Sequence, residues 1–154
     1  MIDRIRYRRV RFTTWLPRDR RYTPSHYWID AVEPGLWRVG FTGFAVRMLG
    51  DLVEHRLEAG TGQPVQTGQT IGWIEGFKAL SDIYAVMPGL LESANPALLQ
   101  DVTLFDTRHY DAGWLYQVRA EEAPEVMDVQ EYIGLLDATI DRLLAAEDEG
   151  TAVE

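Results

Sequence analysis

A single lysine, Lys78, stands among fourteen arginines, in the middle of Glu75-Gly76-Phe77-Lys78-Ala79-Leu80-Ser81-Asp82. A primary amine can be acylated to an amide, whereas a guanidinium that keeps its proton at any physiological pH cannot. Lys78 is thus the one side chain open to covalent loading with an acyl group. An arginine-biased composition would also leave one lysine by chance, so the residues around it must decide.

Other chemistries find little support. There are no cysteines, which excludes a disulfide framework, thiolate metal sites and a redox dithiol carried by the chain itself. His26, His55 and His109 show no metal-ligand spacing, and no serine-centred elbow builds a hydrolytic triad. Gly60-Thr61-Gly62 fails as a dinucleotide motif because Val65 stands where the third glycine belongs, and a turn fits better. The residues point to no enzyme active site. Any thiol chemistry must arrive with a cofactor.

With 154 residues and 46% hydrophobic content the chain fits one domain of ordinary size. The net charge of −9 is unevenly spread: residues 1–21 hold eight arginines against Asp3 and Asp19, a net of +6, which leaves −15 for the rest. An acidic body is a poor partner for nucleic acid. The run Arg4, Arg6, Arg8, Arg9, Arg11 is expected to lie against that body or in solvent rather than to bind phosphate or an acidic protein. No apolar stretch is long enough for a signal or a membrane span, so a cytoplasmic location is expected.

The elements that must position Lys78 are mostly strands. Trp37, Val39 and Phe41 alternate with Arg38 and Gly40, which predicts a strand over 37–45. Glu58 to Pro64 supplies turn residues. Strands are expected at 70–74 and 81–87, with Lys78 at the tip of the hairpin between them. Pro88-Gly89 signals another turn, and Asn95-Pro96 ends the apolar run after it. Short strands at this spacing suggest a sandwich or small barrel. After Pro124, Val129, Tyr132, Ile133, Leu136, Ile140, Leu143 and Leu144 recur at helical steps, predicting an amphipathic helix over one side of the β core, with the tail from Glu147 frayed. Residues 1–24 read as a basic extension, 25–147 as the domain and 148–154 as an acidic tail. Trp28, Trp37, Trp73 and Trp114 are read as core aromatics.

A swinging carrier needs one reactive amine on a rigid, protruding turn, and lysine plus an acyl chain of similar length reaches about 12 Å. Glu75-x-x-Lys78-Ala79-x-Ser81-Asp82-x-Tyr84-Ala85 followed by Pro88-Gly89 resembles the lipoylation segment of the glycine cleavage system H protein family. Ser25-His26-x-Trp28, Val39-Gly40-Phe41-Thr42-x-Phe44-Ala45, Leu49-Gly50-Asp51-Leu52-Val53, Gly62-x-x-Val65-x-x-Gly68, Asn95 and Tyr110-x-x-Gly113-Trp114-Leu115 follow in the family order, over residues 25–120. The resemblance implies a mainly β barrel-sandwich hybrid, or hammerhead, with a C-terminal helix. It implies lipoate in amide linkage to Lys78, with Glu75, Phe77, Ala79 and His26 as associated cofactor-site residues.

The departures bear on the pathway. Gly76-Phe77 replaces Ser-Val, Tyr27 replaces the glutamate of His-Glu-Trp, and the N-terminal lead resembles that of lipoate-binding proteins serving heterodisulfide-reductase-like sulfur oxidation. The leading expectation is therefore a non-catalytic lipoyl carrier of sulfur species, loaded by a lipoate-protein ligase or lipoyl transferase, reoxidised by a dihydrolipoamide dehydrogenase and read by a heterodisulfide-reductase-like complex. The alternative is a glycine cleavage H protein carrying the aminomethyl group between glycine decarboxylase and aminomethyltransferase. Biotin fits poorly, because Phe77 and Ala79 stand where a biotinyl carrier has methionines. An unmodified interaction module is the reading from another class.

Overall fold

The computed structural model describes residues 2–121 and 126–153, with side chains described to residue 147. Eleven strands and four helices are defined among them. The N-terminal arginine run is a hairpin, β1 (Arg4–Arg9) and β2 (Phe12–Pro17), in which Ile5, Tyr7 and Arg9 turn toward the body and Arg4, Arg6 and Arg8 toward solvent. Next come β3 (Arg21–Tyr22), β4 (Tyr27–Glu33), β5 (Leu36–Phe41), helix α1 (Gly43–Leu49), β6 (Leu52–Leu57), β7 (Pro64–Val65), β8 (Thr70–Gly76), β9 (Leu80–Tyr84) and β10 (Gly89–Ala94). Short helices α2 (Pro96–Gln100) and α3 (Thr103–Thr107), β11 (Tyr116–Arg119) and α4 (Val129–Val153) complete the chain.

The expected strand over 37–45 stops at Phe41. Thr42 is extended, and its side chain accepts from the Ala45 amide, capping a helix that buries Phe44, Val46 and Leu49. The apolar alternation runs on in sequence, but a capping threonine followed by helically spaced apolar residues overrides it. Asn95 caps α2 in the same way, with Pro96 in its first turn.

The strands form an antiparallel six-stranded sheet, β3-β4-β5-β11-β10-β7, and a three-stranded sheet, β6-β8-β9. Val39, Phe41, Leu52, Ile74, Ile83, Leu91, Tyr116 and Val118 belong to one core cluster that draws on both sheets. This is the mainly β architecture expected. A second cluster lies outside it. Tyr7, Phe12 and Leu16 of the added hairpin, Tyr22, Trp28 and Phe44 pack with Val129, Tyr132, Leu136 and Ile140 of α4. The helical periodicity is thus correct, and the buried stripe faces the hairpin and the β3–β4 edge. The backbone of α4 runs to Val153 rather than fraying at Glu147.

Two contacts fasten α4. Arg9 donates two hydrogen bonds to Asp141 and lies 3.3 Å from Asp137, one helical turn earlier, which also accepts from the Tyr7 hydroxyl at 2.7 Å. The intramolecular reading of the arginine run therefore holds for Arg9. Arg6, Arg8 and Arg11 meet no carboxylate among the described residues. At the other contact, the Tyr132 hydroxyl lies 2.8 Å from both His26 Nδ1 and Thr42 Oγ1.

Burial lowers the His26 pKa from 6.5 to about 4, so the folded protein keeps this ring neutral where the unfolded chain protonates it. The unfolded state then binds more protons, and stability present above pH 6.5 is lost as pH falls toward 4. His55 and His109, also lowered by burial, add to the same slope. Thermal melts between pH 7 and 4 should show a falling Tm, and His26→Asn, suited to the positive φ at this position, should make that fall shallower.

Candidate functional site

Lys78 sits at the hairpin tip between β8 and β9, where the Gly76 amide donates to the Ala79 carbonyl at 2.9 Å. The tip does not stand alone. The Lys78 amide donates to the Leu49 carbonyl and the Phe77 amide to the Asp51 carbonyl, both at 3.0 Å, and Lys78 Nζ reaches the Arg47 carbonyl at 3.3 Å. Those carbonyls lie at the C-terminal end of α1, where helix geometry leaves acceptors unused and favours a nearby cation. Glycines make the approach possible. A Cβ at Gly76 would collide with the Leu49 carbonyl, and one at Gly50, whose φ is +80°, would lie 2.9 Å from Lys78 Cγ. The glycine at 76, one of the departures in the motif, thus lets the tip press against the helix end.

The base of the hairpin is braced as firmly. The buried Tyr27 hydroxyl accepts from the Tyr84 amide at 2.9 Å, while the buried Tyr116 hydroxyl donates to the Tyr84 carbonyl and accepts from the Val86 amide. Tyr27, the departure from His-Glu-Trp, is therefore a strut on the strand that leads away from Lys78.

Two cavities flank the tip. One, of about 330 Å³, is lined by Ser25, His26, Tyr27, Phe44, Ala45, Met48, Leu49 and the β9 segment from Ala79 to Asp82 with Tyr84. Among the described residues, its lining includes one carboxylate, Asp82, and no lysine or arginine; burial lowers the His26 pKa to about 4. The other, of about 360 Å³, lies between Lys78, Phe77, Arg47, Gly50 and the carboxylates Asp51 and Asp106. Burial, with Asp51 adding repulsion, raises the Asp106 pKa above the usual carboxylate value.

Of the residues singled out from sequence, Lys78 and Phe77 share the second cavity, and Ala79 and His26 share the first. Phe77 is 79% exposed. Glu75 is exposed near the end of β8, opposite Leu80, and lines neither cavity. Of the four tryptophans read as core, Trp28 is buried and Trp37, Trp73 and Trp114 are half-buried. Sequence reasoning missed the α1 wall, Arg47 to Asp51, and the groove residues Met48 and Asp82. The Leu49-Gly50-Asp51 match was the available signal for the wall. Among the described residues no three His, Asp or Glu side chains cluster to hold a metal ion, and no helix is long and apolar enough to cross a membrane.

Among the described residues, the site offers one accessible amine on a braced post, an apolar groove starting at the next residue, and no nucleophile–base pair. The glycine cleavage H-protein family model matches residues 20–138. Glycine cleavage system H proteins of Streptomyces avermitilis and Corynebacterium jeikeium are 35% and 38% identical over 75% and 77% of this chain, and 93% and 95% of their own lengths. The crystal structure of a glycine cleavage system H protein from Mycobacterium marinum superposes with a TM-score of 0.69 at 38% identity, over 77% of this chain and 97% of that one. The chain belongs to the glycine cleavage H-protein family.

Proposed function

We propose that this chain is a non-catalytic lipoyl carrier of glycine cleavage, with lipoate in amide linkage to Lys78. Family membership brings the cofactor, since H proteins carry lipoate covalently on a lysine. The exposure of Lys78, the sole lysine, on a tip tied to α1 supports it as the attachment residue. When bound, lipoate supplies the dithiol that a cysteine-free chain lacks.

The residues present suit that group. Lys78 provides the amide nitrogen, the backbone bonds from Phe77 and Lys78 fix where the arm departs, and the groove beside Ala79 offers apolar walls within the size range of small-molecule sites. Asp82 places the groove's one negative charge, and Tyr84 donates to it at 3.4 Å. A groove with a carboxylate and no lysine or arginine suits a cargo that bears an amine better than a sulfur oxyanion. That observation carries the choice of the aminomethyl group of glycine over sulfur species. The relatives point the same way, being named glycine cleavage system H proteins, and the expected sulfur-oxidation role finds no support among them. Glycine decarboxylase and aminomethyltransferase are then the partners between which the arm moves, with a lipoate-protein ligase to load it and a dihydrolipoamide dehydrogenase to reoxidise it. Residues 25–147 belong to the carrier unit, which also takes in β3, and the β1–β2 hairpin before it is an addition.

Co-expression with a lipoate-protein ligase should add one lipoyl mass to the chain and none to Lys78→Arg, read by intact-mass spectrometry. Stability of that variant should change by less than ~0.5 kcal/mol, because the side chain is exposed. An unshifted mass of the parent chain would favour the unmodified interaction module instead. Gly50→Ala keeps the lysine but strains a positive φ and crowds Lys78; it should cost about 1–2 kcal/mol and slow lipoylation in a timed ligase assay. Asp82→Asn should load normally yet slow glycine cleavage several-fold with purified decarboxylase and aminomethyltransferase. An unchanged rate there would remove the argument for a cationic cargo.

A further inference from the structure

The tip of the N-terminal hairpin carries a side chain that local energetics disfavour. Val10 joins β1 to β2 with φ at 55°, a conformation that a two-residue hairpin turn normally gives to glycine or asparagine and that a β-branched residue adopts only with strain. It is also 53% exposed, so burial does not repay the strain. Such an outlier signals a role outside the fold's own stability.

Val10 opens onto a cavity of about 450 Å³ between the hairpin, α1 and α4, whose walls include Arg11, Arg47, Met48, Leu143 and Leu144. Met48 is 50% and Leu143 45% exposed, so the floor is apolar and open to solvent. Among the described residues, three arginines line it against one carboxylate, Glu147. Arg9 is engaged by Asp137 and Asp141, but Arg11 and Arg47 meet no carboxylate among the described residues, and Arg47 lies over the Phe12 ring. On a protein of net charge −9 this basic, apolar groove is the complement of an acidic partner that the rest of the surface repels. It is continuous with the lipoyl site. Phe44 and Met48 also line the cavity beside Ala79, and Arg47 lines the cavity beside Lys78. The hairpin lies outside the family match, which begins at residue 20, while relatives are covered over 93% and 95% of their lengths. The groove is therefore built by an addition to the shared carrier.

We propose that this groove docks an acidic, apolar-faced segment of a partner protein that works on the Lys78 arm. The apolar face covers Val10, Met48 and Leu143, carboxylates meet Arg11 and Arg47, and the partner's body is held over the lipoyl tip. Its placement beside the arm rests on the carrier reading. Docking itself is measurable on the unmodified full-length chain, so failure of one is told apart from failure of the other.

The probe is a fluorescein-labelled helical peptide with leucines at i, i+3, i+4 and i+7 and glutamates elsewhere, followed by anisotropy. Saturable binding that weakens with salt is expected. Arg11→Glu and Leu143→Asp should each weaken it at least tenfold, while Arg56→Glu, an equal charge change outside the groove, should leave it within twofold. Val10→Gly should raise Tm by relieving the strained turn and still weaken binding, with circular dichroism confirming that every variant is folded. Four results would overturn the proposal: no saturable binding; equal weakening by Arg56→Glu; a concentration-dependent dimer in analytical ultracentrifugation that Arg11→Glu abolishes, which gives the groove to a second copy; or Arg11-dependent binding to phosphatidylglycerol vesicles without peptide binding.

Discussion

Two backbone hydrogen bonds, from the Phe77 and Lys78 amides to the Asp51 and Leu49 carbonyls, turn a hairpin tip into a fixed post. A two-stranded hairpin is marginal by itself, and its tip frays first. Here the tip borrows rigidity from a helix whose own position is set by burial of Phe44, Val46 and Leu49 and by the Thr42 cap. The core thus reaches the solvent-facing amine through a short chain of causes: apolar packing seats α1, the end of α1 offers its carbonyls, and those carbonyls hold the tip. The exposed side chain of Lys78 makes one long contact, 3.3 Å from Nζ to the Arg47 carbonyl, while its backbone is held by a 3.0 Å bond to Leu49, so the residue is fixed at its root and accessible at its end.

The same economy governs the groove beside the tip. Its walls come from β4, α1 and β9, and the groups that join them are hydroxyls: Tyr27 and Tyr116 hold the end of β9, and Tyr132 joins His26 to Thr42 beneath α4. Burial lowers the His26 pKa, so near neutral pH Asp82 is the charged side chain among the described lining residues. Replacing a family glutamate by Tyr27 moves in the same direction, exchanging a charge for a buried aromatic that closes the floor and satisfies a strand amide.

Much of this was legible in the residues. The hairpin around Lys78 was readable because turn chemistry and β-rich flanks agree, and α4 because seven apolar residues keep helical steps over four turns. Helix α1 was not, since seven residues are too few for periodicity to outvote the alternation from Trp37 to Phe41, and only the cap geometry of Thr42 betrays the change. The arginine run was legible as charge but not as structure. Its anchor, Arg9 on Asp137 and Asp141, spans more than 120 residues of sequence, and ion pairs of that range leave no local pattern. The groove was illegible for the same reason: Ser25, Met48 and Asp82 converge only through the sheet register.

Writing nearly all positive charge as guanidinium has a practical side. Amine-selective reagents meet two kinds of target on this molecule, the α-amino group and Nζ of Lys78. While Lys78 carries no acyl group, activated esters or synthetic acyl probes will therefore react at these two amines and spare the fourteen arginines, so position 78 can be labelled without mutagenesis.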